Sequence, residues 1–196
     1  MMRFAINGFG RVGRTLLRVY RTREDAQARF ELAAINEIAD ANTVAHLARY
    51  DSNYGRYPGR MALSGSLLAI DHLLVPLSHE PDVAALPWGD LGIDLVFECT
   101  GAFTDRATAE QHLHSGARRV LFSHPAESDV DATIVYGVNT DTLSVDMDVV
   151  SAASCTTNAV VPVLATLSET FGVEAATITT IHSLMNDQPV LDAYHH

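Results

Sequence analysis

The sequence predicts an α/β fold, in which a mainly parallel sheet carries helices on both faces. Two observations lead to this prediction. Short apolar runs that end in small polar residues, glycine or a carboxylate recur along the chain. Segments with the 3.6-residue apolar spacing of helices, or long connections, separate these runs. Strands that alternate with helices in this way form parallel sheets, and their carboxyl ends share one edge.

The first strand is predicted over residues 3–7, and the glycines of a Gly-x-Gly-x-x-Gly segment follow it at once, at Gly8, Gly10 and Gly13. A helix is expected next, and a second strand over 30–35. In the helix, apolar spacing places Val12, Leu16, Leu17 and Tyr20 inward and Arg14, Arg18 and Arg21 on the opposite side. This order predicts a Rossmann-type dinucleotide-binding unit, because glycines let the backbone approach a pyrophosphate. The alternative is a tight packing turn without a ligand.

Glu37 closes the second strand, 24 residues after Gly13, near the spacing of about 20 expected for the acidic residue that binds the adenosine ribose. A carboxylate accepts hydrogen bonds from ribose hydroxyls but repels a 2′-phosphate. Glu37 therefore predicts NAD rather than NADP as the cofactor. The alternative interpretation is a solvated acid at a strand end.

The following elements continue the alternation. Asp40 is expected to cap a helix that runs to Tyr50, with Val44, Leu47 and Ala48 facing inward. Residues 51–80 predict a hairpin excursion at the edge of the domain, and residues 81–92 a short helical turn and loop. Further strands are expected at 94–99, 119–122, 132–136 and 149–151, with a helix at 105–115 that Thr104 caps and Gly116 ends.

Five polar or glycine positions follow predicted strand ends: Gly8, Glu37, Thr100, Ser123 and Ser154. If the sheet forms, all five lie along one edge, where such sheets bind their ligands. That edge is the predicted functional site.

Cys155 lies four residues before the start of the apolar run 159–167, which predicts a helix that Gly172 ends, with Pro162 near its first turn or bending it. A thiol at a helix start meets unpaired N–H groups and the positive end of the helix dipole, which favour the thiolate. The alternative is a small buried cysteine. A β-branched strand expected at 177–181 delivers His182 beside it, where an imidazole stabilises the thiolate and moves protons.

A thiolate, a base and a nicotinamide cofactor together predict aldehyde oxidation through a covalent thioester. The cysteine attacks the aldehyde, the histidine removes the hydroxyl proton as hydride leaves, and water or phosphate releases the product. The Cys155 backbone N–H and the His182 ring are expected to stabilise the developing oxyanion.

The composition of the chain restricts the classes of binding partner. The chain of 196 residues has a net charge of −11, and all 13 of its basic residues are arginine, which disfavours nucleic acids and anionic membranes. There are two cysteines, Cys99 and Cys155. No signal peptide or membrane span is expected, so the protein is predicted to be cytoplasmic with reduced thiols. No metal site is expected.

Four segments together carry a family resemblance. They are Ile6-Asn7-Gly8-Phe9-Gly10-Arg11-Val12-Gly13-Arg14, Cys99-Thr100-Gly101, Ser154-Cys155-Thr156-Thr157-Asn158 and Thr179-Thr180-Ile181-His182. The chain resembles the glyceraldehyde-3-phosphate dehydrogenase family over essentially its whole length. The pentapeptide around Cys155 is the most specific of these motifs.

The resemblance implies a role for each matching position. Cys155 is the nucleophile and His182 activates it, whereas Ser154 and Thr156 contact the substrate or its phosphate. Arg11 and Val12 hold the pyrophosphate of NAD, Glu37 holds the ribose and Ser123 lies near the nicotinamide. The remaining cofactor positions are Asn7, Gly8, Gly10, Gly13, Thr100 and Gly101. The resemblance also implies that the full-length form is a homotetramer.

Within the family, the segments 35–40, 121–125, 182–188 and 192–195 are similar to the branch that oxidises D-erythrose 4-phosphate for pyridoxal phosphate synthesis. Met185 and Asp187 replace threonines that bind phosphate in the glyceraldehyde-phosphate enzymes, which favours this branch. Ala152, Ala159 and Pro81 also depart from family positions, and Pro81 removes an arginine near the cofactor.

The expected organisation is an NAD-binding domain over 1–154 and the incomplete beginning of an α+β catalytic domain over 155–196, whose apolar faces are expected to be exposed or mobile. Two alternatives remain open: a glyceraldehyde-3-phosphate dehydrogenase, and an NAD-binding chain without catalysis.

Overall fold

The computed structural model describes residues 1–182, and its centre is a nine-stranded sheet. The strands are β1 (Met2–Asn7), β2 (Phe30–Asn36), β5 (Met61–Ser64), β6 (Leu67–Ile70), β7 (Leu73–Ser78), β8 (Leu95–Glu98), β9 (Val120–Phe122), β10 (Ala132–Thr133) and β11 (Val149–Ser151). Their order is β10-β11-β9-β8-β1-β2-β7-β6-β5. Neighbours from β10 to β7 pair in parallel, and only β5-β6 and β6-β7 are antiparallel. The predicted α/β class and mainly parallel sheet are confirmed.

Five α-helices accompany the sheet in the described part of the chain: α1 (Arg11–Thr22), α2 (Glu24–Arg29), α3 (Ala41–Arg49), α4 (Arg106–His114) and α5 (Cys155–Phe171). A short 3-10 turn at Val83–Ala85 lies in the predicted turn and loop, and another is at Thr140–Thr142. The strands β3 (Tyr50–Asp51) and β4 (Gly55–Arg56) form a separate two-stranded ribbon.

Both faces of the sheet are covered because residues along a strand point alternately to either side. On β1, Phe4 and Ile6 pack into the core under α1 and α3, whereas Ala5 packs with Trp88 and Ile93 on the opposite face. This burial on both faces explains why the central strands are apolar runs rather than alternating patterns.

The segment predicted as a hairpin excursion forms the antiparallel meander β5-β6-β7. Its last strand also pairs in parallel with β2, through Ile35–Leu77 and Asn36–Ser78. The meander therefore extends the main sheet at its edge.

The predicted assignment of the two faces of helix α1 is wrong at Val12 and Arg14. Gly13, Leu17 and Tyr20 are buried, as is Arg14, whereas Val12 is 46% exposed. Arg14 turns inward because its Nη1 donates to the carbonyl of Phe9 at 3.0 Å, which holds the preceding loop. Apolar spacing alone could not predict this polar contact.

Two further boundaries differ from prediction. Asp105, not Thr104, caps α4, because its side chain accepts a hydrogen bond from Thr108 N at 2.8 Å. The strand expected over 132–136 is only two residues long, since Val135 N donates to the Asn139 side chain at 2.7 Å instead of joining the sheet. The Asp40 cap of α3 is confirmed by hydrogen bonds from Asn42 N and Thr43 N.

Helix α5 begins at Cys155, contains Pro162 beyond its first turn and buries none of its residues. The expected exposure is confirmed for Val163, Leu167 and Phe171. The strand predicted over 177–181 is wrong. Residues 173–182 are exposed and irregular, and β-branched residues form a strand only where a neighbouring strand completes the hydrogen bonds. The expectations for 183–196, including Met185 and Asp187, lie outside the described residues. Nowhere in 1–182 is there a helix long and apolar enough to cross a membrane.

Candidate active site

The carboxyl ends of β1, β2, β8, β9 and β11 lie along one edge of the sheet, because these strands run parallel. The five predicted positions follow them: Gly8, Glu37, Thr100, Ser123 and Ser154. Ala152 N donates to Phe122 O at 2.9 Å, which places the segment before Ser154 beside the one that begins with Ser123. The structure therefore brings the predicted positions to one edge.

The glycine loop is packed too closely for side chains. Gly8 has φ +87°, and a Cβ there would lie 2.5 Å from Thr100 N. A Cβ at Gly13 would lie 2.3 Å from the Gly8 carbonyl oxygen. Helix α1 begins directly after the Gly10 cap, and a helix N-terminus favours a phosphate group. This geometry fits the pyrophosphate of a dinucleotide.

A cavity of about 340 Å³ lies beside the loop. Five predicted cofactor residues line it: Asn7, Gly8, Gly10, Glu37 and Thr100. Its apolar wall includes Phe9, Val44, Leu47 and Phe103. Sequence reasoning did not assign these apolar residues to the site, although it predicted that Val44 and Leu47 face inward. A cavity with apolar walls and a few polar groups suits a cofactor.

Glu37 joins the end of β2 to the glycine loop. Its Oε2 accepts a hydrogen bond from Phe9 N at 2.7 Å, and its Oε1 accepts one from Ala39 N at 3.2 Å. The carboxylate lines the cavity while it fixes the loop. Sequence reasoning predicted a ribose ligand at this position and missed this second role.

The remaining cofactor positions surround this centre. Arg11 and Val12 form the first turn of α1, and an Arg11 Nη1 lies 3.7 Å from the Asp51 carboxylate. Ser123 N donates to Glu98 O at 3.0 Å, which fixes Ser123 directly after β9. Gly101, at φ +71°, continues the turn after Thr100.

Cys155 is the first residue of α5, and Ser154 is its cap. The Ser154 side chain accepts a hydrogen bond from Thr157 N at 2.9 Å. The side chain of Asn158 donates to Ala152 O at 2.8 Å and to Ser154 O at 2.9 Å, so it closes the turn before the cysteine. Ala153, within that turn, has φ 60°, a left-handed conformation that is strained for a residue with a Cβ.

The Sγ of Cys155 lies 3.0 Å from Nε2 of His182. This hydrogen bond, helped by backbone and side-chain contacts from Thr156, holds the pKa of the Cys155 thiol below its ordinary value. Both residues are exposed, so a substrate can reach them. The pair suits nucleophilic attack because the thiolate is the reactive form.

Cys99 has the opposite environment. It is 8% exposed, and burial raises the pKa of its thiol to about 12. Both cysteines are free. The two thiols are therefore distinguished by their surroundings, and only Cys155 has the properties of a nucleophile.

A mainly parallel α/β sheet with a glycine loop and a cavity at its carboxyl edge is the arrangement of dinucleotide-binding proteins. Comparison with protein families agrees. Residues 2–106 match the model described as glyceraldehyde 3-phosphate dehydrogenase, NAD binding domain, and residues 154–196 match the C-terminal domain model of the same enzyme. The chain belongs to the glyceraldehyde 3-phosphate dehydrogenase family, and its cofactor is NAD.

Proposed function

We propose that this protein oxidises a phosphorylated aldose with NAD through a thioester on Cys155, and that its substrate is D-erythrose 4-phosphate. The observation that carries the reaction type is the 3.0 Å contact between Cys155 Sγ and His182 Nε2 at the edge that bears the NAD site. The similarity of segments 35–40 and 121–125 to the erythrose-phosphate branch supports the choice of substrate.

In the proposed reaction, the Cys155 thiolate adds to the aldehyde carbon, and the aldehyde oxygen takes the proton that the thiol had given to His182, which forms a hemithioacetal. His182 takes the hydroxyl proton as the carbon–hydrogen bond breaks, which leaves a thioester. Bound NAD supplies the hydride acceptor. Water then attacks the thioester carbon, 4-phosphoerythronate leaves and the thiolate is restored. The Cys155 backbone N–H and the His182 ring stabilise the oxyanion.

The proposed NAD-binding residues are Asn7, Gly8, Gly10, Arg11, Val12, Gly13, Glu37, Thr100, Gly101 and Ser123. Ser154 and Thr156 are proposed to contact the substrate together with Cys155. We propose that the boundary between the NAD-binding and catalytic domains lies between residues 154 and 155, next to the start of α5. A cytoplasmic homotetramer is the proposed assembly, and the product is proposed to serve pyridoxine biosynthesis.

NADH formation with purified protein tests this function. D-erythrose 4-phosphate should give NADH without added inorganic phosphate, and the Cys155→Ser variant should give none. Turnover of glyceraldehyde 3-phosphate that depends on inorganic phosphate, without turnover of D-erythrose 4-phosphate, would instead support the second candidate, the enzyme after which the matching family models are described. NAD binding without turnover would support a third, noncatalytic function, which the exposure of α5 favours.

A further inference from the structure

A buried carboxylate lies beneath the cofactor cavity. Glu98 ends β8 and has no exposed surface. Its Oε2 accepts a hydrogen bond from Asn7 Nδ2 at 2.6 Å and lies 3.1 Å from His112 Nε2. Its Oε1 accepts hydrogen bonds from Thr100 N, at 2.8 Å, and from the Thr100 hydroxyl. Four polar groups from three separate parts of the chain thus meet one carboxylate.

Trp88 determines the orientation of the histidine proton. The indole N–H of Trp88 donates to Nδ1 of His112 at 2.9 Å. An indole nitrogen can only donate, so Nδ1 accepts and Nε2 carries the proton directed at Glu98. Both His112 and Trp88 are fully buried. All four groups around the carboxylate are consequently donors.

Two of the three donor residues also line the cavity. Asn7 and Thr100 line it, and Thr100 N also lies where a Cβ at Gly8 would approach to 2.5 Å. The Asn7 side-chain oxygen accepts a hydrogen bond from Asn36 Nδ2 at 2.8 Å, which carries the network to the end of β2. Movement of Thr100 would therefore change the backbone surface against which Gly8 packs.

We propose that Glu98 is a positioning residue for NAD: it holds Thr100 and Asn7 at the distance from Gly8 that the cofactor requires. This inference rests on the proposed NAD site and deepens it. Glu98 is fully buried and is separated from solvent, so it acts through its neighbours.

A carboxylate is needed because every neighbour donates. Burial opposes ionisation of Glu98, but the hydrogen bonds from His112, Thr100 and Asn7 outweigh it and hold its pKa below the ordinary value. Glutamine has nearly the same shape but presents an NH2 group in place of one oxygen. That NH2 group would face either the two Thr100 donors or the donors of Asn7 and His112. The hydrogen bonds on that side would be lost, because two donors repel each other.

The decisive experiment compares Glu98→Gln with Asp71→Asn by calorimetric NAD binding and thermal unfolding. Asp71 accepts hydrogen bonds from Tyr57, Arg21 and Arg60 and does not line the cofactor cavity. Glu98→Gln should weaken NAD binding by about ten- to hundredfold, the range for a lost charged hydrogen bond. Asp71→Asn should lower the unfolding temperature and leave the NAD affinity unchanged. Emission of Trp88, the only tryptophan, verifies the fold of each variant.

A second pair of variants, at Thr100, tests the proposal even if Glu98→Gln fails to fold. Thr100→Ser keeps the hydroxyl that donates to Glu98, whereas Thr100→Val removes it at similar size. Thr100→Val should bind NAD about tenfold more weakly than Thr100→Ser, because only the serine variant keeps the hydrogen bond to Glu98. Equal affinity of these two variants, or wild-type affinity in folded Glu98→Gln, overturns the inference. If the wild-type protein binds no NAD, the proposed NAD site is wrong. If the wild-type protein binds NAD and the Glu98 and Thr100 variants bind it equally well, only the proposed role of Glu98 is wrong.

Discussion

The Sγ of Cys155 and Nε2 of His182 lie 3.0 Å apart although 27 positions of sequence separate the residues. Cys155 occupies the first turn of α5, whereas His182 follows an irregular, exposed segment. The contact therefore does not require the strand that the composition of 177–181 predicts. It joins an acidic thiol to a base at the edge of the sheet that also forms the NAD site.

The first prediction concerns the pH dependence of Cys155 alkylation. The hydrogen bond from His182 lowers the thiol pKa, so the thiolate persists to lower pH than in an ordinary cysteine. In His182→Ala the midpoint of the alkylation profile should move to higher pH, and the rate near neutrality should fall by about tenfold for each unit of that movement. Iodoacetamide kinetics measure both quantities. His124→Ala serves as the control and should keep the wild-type alkylation profile. A shift in His182→Ala alone would support the pairing of Cys155 with His182, whereas a wild-type profile in His182→Ala would contradict it.

The second prediction concerns Cys99. Its folded pKa of about 12 exceeds the ordinary value of 9.0, so its thiol form contributes stability that is fully present below pH 9 and is lost as pH rises toward 12. In Cys155→Ser, alkylation of Cys99 should be very slow until the protein unfolds. Mass spectrometry with increasing urea measures this order of events. Rapid alkylation of Cys99 in the folded variant would contradict it.

The third prediction separates close packing from backbone strain in the glycine loop. Gly8→Ala and Gly65→Ala each place a Cβ at positive φ, +87° and +63°, which costs about 1–2 kcal/mol at either site. Only the Cβ at position 8 meets backbone atoms within 4 Å. Gly8→Ala should therefore abolish detectable NAD binding, while Gly65→Ala keeps the wild-type affinity. Calorimetric titration of the two variants provides the test, and equal affinities would count against the cofactor loop.

The fourth prediction concerns the turn before the nucleophile. The Asn158 side chain donates to the carbonyls of Ala152 and Ser154, which hold the strained Ala153 between them. Asn158→Ala should destabilise the protein by about 1–2 kcal/mol through these hydrogen bonds and slow Cys155 alkylation. Asn158→Asp should lower the stability further, because a carboxylate would face two carbonyl oxygens. Urea unfolding and alkylation rates distinguish these variants, and an unaffected Asn158→Asp would refute the role of the donors.

Much of the fold could be predicted because its signals are local. Glycines of the first loop, the apolar strands and the Asp40 cap each depend on a few neighbouring residues, and the structure confirms them. Two predictions failed where a side-chain hydrogen bond decided the local structure. Arg14 turned inward to the Phe9 carbonyl, and Asp105 rather than Thr104 capped α4.

The chain alone determined that a parallel sheet forms and that Gly8, Glu37, Thr100, Ser123 and Ser154 follow its strand ends, since periodicity and turn chemistry are encoded over short stretches. Only the tertiary structure decided that Glu98, His112 and Trp88 meet beneath the cavity, and that Cys155 is exposed whereas Cys99 is buried. These relationships join residues distant in sequence, and hydrogen bonds and burial of this kind arise only when the sheet and its helices pack together.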